Sequence, residues 1–138
     1  MTHLLLDTNI VVLAMKRREP AIDHNVGLAI GRNMLLALSV LTLYELQVGV
    51  MRNANPVSAG QRLHTFLKLV SVIWEFDEED ALVAAEIRAT LMRTGNAIGS
   101  LDTLIAAQAI RRNVPVVTNN VSEFSRVPNL RWEDWTQA

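Results

Sequence analysis

The chain has 138 residues, half of them hydrophobic and 20% charged, with 13 basic residues against 14 acidic ones and a formal net charge of −1. That length suffices for one domain with a real core, and the composition is too apolar for a disordered chain. Having no cysteine, it excludes disulfide scaffolds, thiol nucleophiles, iron–sulfur clusters and cysteine zinc sites, and its balanced charge argues against nucleic-acid binding through a broadly basic surface.

Strand-like and helix-like segments alternate along the chain. Residues 4–6 read as a short buried strand, and Thr8-Asn9 opens an apolar helix through Met15 that ends at Lys16-Arg17-Arg18. Pro20 starts a second helix towards Arg32, because proline suits the first helical turn. A second buried strand is expected at 35–39, then a helix over 41–52, a break at Asn53-Ala54-Asn55-Pro56, and a helix whose Leu63, Phe66, Leu67 and Val70 fall at helical spacing. A strand at 72–76 leads to a helix over 77–93 with Ala81, Ala84, Ala85, Leu91 and Met92 as its apolar face and Gly95 as its stop. After a loop at 94–100, a helix over 101–112 precedes a strand at 115–118, and a turn-rich tail holds a last strand near 130–132. Such alternation predicts parallel strands joined by right-handed crossovers in a three-layer α/β/α sandwich, a single domain over 1–138.

The N-terminal segment has no basic region before its three leucines, so no signal peptide is expected. The uncharged run at 34–44 is too short for a bilayer core that needs about 20 residues. The reading is therefore a cytoplasmic protein without a membrane segment.

In open α/β sheets ligands sit beyond the carboxyl ends of the strands, which directs attention to Asp7-Thr8-Asn9 and Thr118-Asn119-Asn120. Asp7 follows the first strand and doubles as a plausible helix N-cap. Glu45 lies among Leu41, Leu43, Tyr44, Leu46 and Val48. It belongs either to a narrow polar stripe with Gln47 or to a buried site that needs a cation. Asp102 stands at a helix start, where the macrodipole alone would favour it. Each acid has a structural explanation, but three converging on one sheet edge would repel one another unless a divalent cation intervened. Oxygen ligands without cysteine select Mg²⁺ or Mn²⁺. By contrast, Glu75-Phe76-Asp77-Glu78-Glu79-Asp80 reads as a solvated helix N-terminus. His3, His24 and His64 have no zinc-site spacing, and no serine-nucleophile, P-loop or dinucleotide fingerprint occurs.

The pattern resembles the PIN-domain ribonucleases, and within them the VapC-type toxins of type II toxin–antitoxin pairs. Four blocks carry the resemblance: Leu4-Leu5-Leu6-Asp7-Thr8-Asn9; Ser39 and Thr42 with Glu45-Leu46 and Gly49; Gly95-x-Ala97-Ile98-Gly99-x-x-Asp102-x-Leu104-Ile105-Ala106-Ala107; and Val117-Thr118-Asn119-Asn120-x-x-Glu123-Phe124. The ending Val127-Pro128-x-Leu130-x-x-Glu133-Asp134-Trp135 also looks like that family's. The resemblance implies that Asp7, Glu45 and Asp102 hold one or two Mg²⁺ or Mn²⁺ ions for hydrolysis of RNA, leaving a 5′-phosphate and a 3′-hydroxyl. Thr8 and Thr118 would support the ligands. Where the family usually has a fourth acid this chain has Asn120, so either Asn120 or Glu123 would hold metal or water there. The same resemblance implies a VapB-type antitoxin whose C-terminal segment lies in a groove and offers an arginine or lysine to the acids, and a homodimer. Arg17-Arg18, Arg52, Arg111-Arg112 and Arg126 are candidates for holding the RNA backbone, against a background of ordinary surface charge. Two competing readings remain: a PIN-like module that binds RNA or protein without cutting, and another metal-dependent phosphotransfer enzyme.

Overall fold

The computed structural model describes residues 2–137. In chain order these form β1 (His3–Leu6), α1 (Thr8–Lys16), α2 (Pro20–Gly31), β2 (Leu35–Ser39), α3 (Val40–Arg52), α4 (Pro56–Leu67), β3 (Val72–Trp74), α5 (Glu78–Arg93), α6 (Ser100–Arg112), β4 (Val116–Val117), α7 (Val121–Phe124) and β5 (Trp132–Glu133). The five strands pair in the order β3-β2-β1-β4-β5, and every pairing is parallel. The chain winds outwards from β1 to β2 and β3, then crosses back to place β4 on the other side of β1. Between β1 and β4 the winding direction reverses, which opens a crevice at the strands' carboxyl ends.

The three leucines of β1 show why the strand has no polar face. Leu4 and Leu6 pack with α1, α2 and α4, whereas Leu5 packs with Ala84 and Ile87 of α5 and with Ile105, Ala106 and Ala109 of α6. Both sides of the sheet are covered, and each fully buried leucine contributes about 1.5–3 kcal/mol. Helix ends follow local chemistry. Asp7, Ser39, Asn55 and Asp77 cap α1, α3, α4 and α5 with their side chains. Gly95 takes a left-handed φ of 70° just after α5, the role expected of it.

Several expectations need correction. The third strand stops at Trp74 rather than 76, the fourth is only Val116–Val117, and the last is Trp132–Glu133 rather than 130–132. The buried face of α5 is Asp80, Ala84, Ile87 and Leu91, while Met92 is exposed, because alanines carry too little hydrophobic weight to mark a helix face. The acidic run is not wholly solvated either. The Asp80 side chain is fully buried, with Arg111 Nη1 and Arg112 Nη1 each 2.9 Å from its Oδ1. Arg111 also reaches Asp77 at 2.6 Å and Glu79 at 3.1 Å. These two arginines tie α6 to α5, so they are not free to hold an RNA backbone.

Candidate active site

Asp7, Thr8, Glu45, Asp102, Thr118, Asn120 and Glu123 come from five different segments, and all gather at the carboxyl edge of the sheet around the β1/β4 crevice. Asp7 is 2% exposed. One of its oxygens accepts the Ile10 amide at 2.9 Å and the other accepts the Thr118 hydroxyl at 2.5 Å. Its role as N-cap and its place in the site are thus the same geometry, one oxygen serving each. Burial pushes its pKa up to about 6; the two hydrogen bonds oppose this, and the Glu45 charge adds to it.

Glu45 is half-buried in the second turn of α3. The Thr8 hydroxyl donates to its Oε1 at 2.5 Å and lies 3.2 Å from the fully buried Thr42 hydroxyl. Thr42 was absent from the expected site, although its position three residues before Glu45 puts both on one helix face.

Asp102 lies in the first turn of α6, where Gly99 is the N-cap. A Cβ on Gly99 would lie 3.4 Å from Asp102 Oδ2 and 3.8 Å from Glu123 Oε2, ordinary contact distances that place this backbone directly beside both acids. The Asp102 pKa is pushed up to about 7, first by burial, then by its hydrogen bond to Glu123 and the charges of Glu123, Asp7 and Glu45. Glu123 is held below its usual range by the Asp102 hydrogen bond, against the effect of burial, with help from Asn120, the Gly99 amide and Arg126. The two carboxyls oppose ionising together, Asp102 being pushed up and Glu123 held down.

Asn120 joins this pair as a donor. Its Nδ2 lies 2.8 Å from Glu123 Oε2 and 3.4 Å from Asp102 Oδ2, its backbone N–H donates to Thr118 Oγ1 at 2.8 Å, and its Oδ1 lies 3.5 Å from the Ser122 hydroxyl. An aspartate here would put a further negative charge beside two acids and remove two donated hydrogen bonds. Asn120→Asp is therefore expected to lower stability at pH 8 without cations by about 1–2 kcal/mol and to enlarge the gain on adding Mn²⁺. Thermal unfolding of both proteins with and without Mn²⁺ measures this; equal responses would show that residue 120 lies outside the cation's field.

Among the described residues no three acidic or imidazole side chains close round one ion by themselves. Nor does any lysine or arginine form an ion pair with Asp7, Glu45 or Asp102. One buried and two half-buried carboxylates, without a cationic partner among the described residues, fit a hard divalent cation. Mg²⁺ binds through one or two carboxylates and keeps several of its waters, so a closed cage of acids is not required. The donor set is all oxygen, as Mg²⁺ and Mn²⁺ prefer.

This fold, with acids at its switch point, matches the PIN-domain family model over residues 4–130. The chain belongs to the PIN-domain family, on its VapC ribonuclease branch. It is 37% identical to "Ribonuclease VapC2" of Rickettsia felis over 95% of this chain and 96% of the relative, and 33% identical to "tRNA(fMet)-specific endonuclease VapC" of Salmonella typhimurium over 98% of this chain and 99% of the relative. Among solved structures, VapBC2 from Rickettsia felis bound to a DNA fragment from its promoter superimposes with a TM-score of 0.89 at 35% identity, covering 97% of this chain and 99% of that one.

Proposed function

We propose that this chain is a Mg²⁺- or Mn²⁺-dependent endoribonuclease toxin of the VapC type, acting in the cytoplasm and neutralised by a VapB-type antitoxin, with residues 1–138 forming a single PIN domain. The observation that carries the metal-dependent reading is the convergence of Asp7, Glu45 and Asp102 with, among the described residues, no lysine or arginine paired to them. Among the described residues no helix is long and apolar enough to cross a membrane.

Asp7, Asp102 and Glu45 are the residues that would hold the metal, and Glu45, from a separate element, would also orient the attacking water. When bound, the cation lowers the pKa of a water molecule and offsets charge on the phosphate. The Thr8 hydroxyl holds Glu45 Oε1, and the carboxylate would be the group that accepts a proton from such a water. Thr118 fixes the rotamer of Asp7, and Asn120 holds Glu123 against Asp102. With the Asn120 nitrogen turned to the acids, Glu123 is the residue that would fill the fourth position. The products are a 5′-phosphate and a 3′-hydroxyl.

Partner surfaces fit the same reading. A groove of about 520 Å³ between α1, α2 and α4, with Val26, Ile30, Phe66 and Leu69 among its walls, suits the antitoxin segment. Val40, Tyr44, Val48 and Met51 form an exposed apolar stripe on α3 that suits a homodimer.

RNA cleavage is expected with Mg²⁺ or Mn²⁺ and is expected to stop on chelation. Activity that resists chelator and persists in an Asp7→Asn preparation would overturn the reading. The pH dependence follows from the two raised acids. Their contribution to stability is full below about pH 4, where folded and unfolded chains both hold the protons, and is lost as pH rises through about 6 to 7. Metal binding releases those protons. Calorimetric titration with Mn²⁺ should therefore show affinity rising between pH 5.5 and 7.5, roughly tenfold per unit for each proton released.

A further inference from the structure

A second, smaller pocket of about 170 Å³ opens between α1, α3 and α4, and Glu45 is part of its lining. Its floor is aliphatic, with Met15 and Leu46; Lys16, Asn53 and Arg62 stand at its edge. Neither Lys16 nor Arg62 forms an ion pair among the described residues. Arg62 donates one hydrogen bond to Ser58 at 2.7 Å and keeps its other N–H groups. The Asn53 Oδ1 accepts the Asn55 amide at 2.9 Å, and its NH₂ makes no hydrogen bond among the described residues.

We propose that this pocket receives the base of an unpaired nucleotide flanking the scissile phosphate, with Lys16 and Arg62 each on one of its two adjoining phosphates and the Asn53 NH₂ on a base carbonyl or ring nitrogen. The proposal rests on the endoribonuclease reading, whose reacting phosphate must lie beside Glu45. The volume is well under the roughly 300–1,000 Å³ of sites for drug-sized ligands, and suits a single heterocycle. Sequence-specific proteins read RNA mainly by splaying out unstacked bases, and their phosphate contacts fix register while base contacts specify. An apolar floor with a cationic edge and one directed donor offers all three kinds of contact. Unlike Arg111 and Arg112, the cations here are available.

The test uses the full chain with Mn²⁺ and a single-stranded oligoribonucleotide library randomised around the cleavage position, with binding followed by fluorescence anisotropy. Lys16→Ala/Arg62→Ala is expected to weaken binding about tenfold and to flatten the slope of log K against log salt by about 1.4, or 0.7 per lost phosphate contact on a single strand. Asn53→Ala is expected to level the nucleotide preference at one position, and Lys68→Ala, outside the pocket, serves as the surface control. A preference profile unchanged in Asn53→Ala, with Lys16→Ala/Arg62→Ala binding as tightly as Lys68→Ala, overturns the proposal. So does loss of antitoxin binding alone, which assigns the pocket to the protein partner. If the wild type binds with this dependence but never cleaves, the pocket stands and the nuclease reading falls.

Discussion

Replacing Asp7 by asparagine is expected to give a protein that folds at least as well as the wild type and no longer cleaves RNA. Asparagine caps helices as well as aspartate, so the hydrogen bond from the Ile10 amide survives. What disappears is a negative charge that burial makes costly, as its pKa of about 6 shows. The metal-free variant should therefore gain about 1–2 kcal/mol at pH 8, less than the full pKa difference implies, because the new NH₂ is itself buried beside Thr118. Activity should fall by about a thousandfold or more, since a neutral amide holds the cation poorly and several kcal/mol of transition-state charge stabilisation go with it. Asp102→Asn should behave in the same way. Single-turnover cleavage measured beside thermal unfolding in chelator tests both halves. A variant as active as the wild type would favour a module that binds RNA without cutting it, and a variant that unfolds would show that the charge serves the fold.

That pairing of capping with reactivity explains why so much of the site was legible from the chain alone. Strand ends and helix starts have recognisable chemistry, and the acids stand at or close to them: Asp7 after three leucines, Asp102 in a first turn behind Gly99. An all-leucine strand announced two covered faces, which is also why the parallel sheet could be anticipated. Glu45 was harder, since only Thr8, 37 residues away, shows which way its carboxylate turns. The orientation of Asn120 was not readable at all. Sequence shows an amide where the family has an acid, but only the positions of Asp102 and Glu123 show that its nitrogen faces them. The acidic run before α5 misled for the same reason. Local composition describes a solvated helix start, and the arginines that bury Asp80 lie 31 and 32 residues further on.

Asp80→Ala is the change expected to damage the fold most while leaving the chemistry alone. The carboxylate closes a capping box with Asp77, accepting its backbone amide at 3.1 Å, and takes hydrogen bonds from both Arg111 and Arg112. Arg112 also sits over the Trp74 ring at 5.0 Å and donates to the Gln108 carbonyl at 3.1 Å, while the Gln108 side chain donates to the Glu75 carbonyl at 3.1 Å. Removing the acid at the centre leaves two guanidiniums without their shared partner and the helix start half capped. Truncating one member of a buried charge network costs about 3–5 kcal/mol; the lower end applies here because both arginines keep some contact with water, giving a melting point about 10 °C lower. Burial pushes the Asp80 carboxyl up, but the hydrogen bonds from Arg112, the Asp77 amide and Arg111 outweigh it and hold it below the usual range. The stabilisation is thus complete above about pH 4 and is lost as pH falls through the lowered value, so wild type and variant should converge in acid. The tie grips the last turn of α6, about 14 Å along the helix from Asp102 at 1.5 Å per residue. Cleavage per folded molecule at 25 °C should therefore match the wild type, the reverse of Asp7→Asn, and a loss of activity in protein shown to be folded would mean that the arginine tie also sets the position of Asp102.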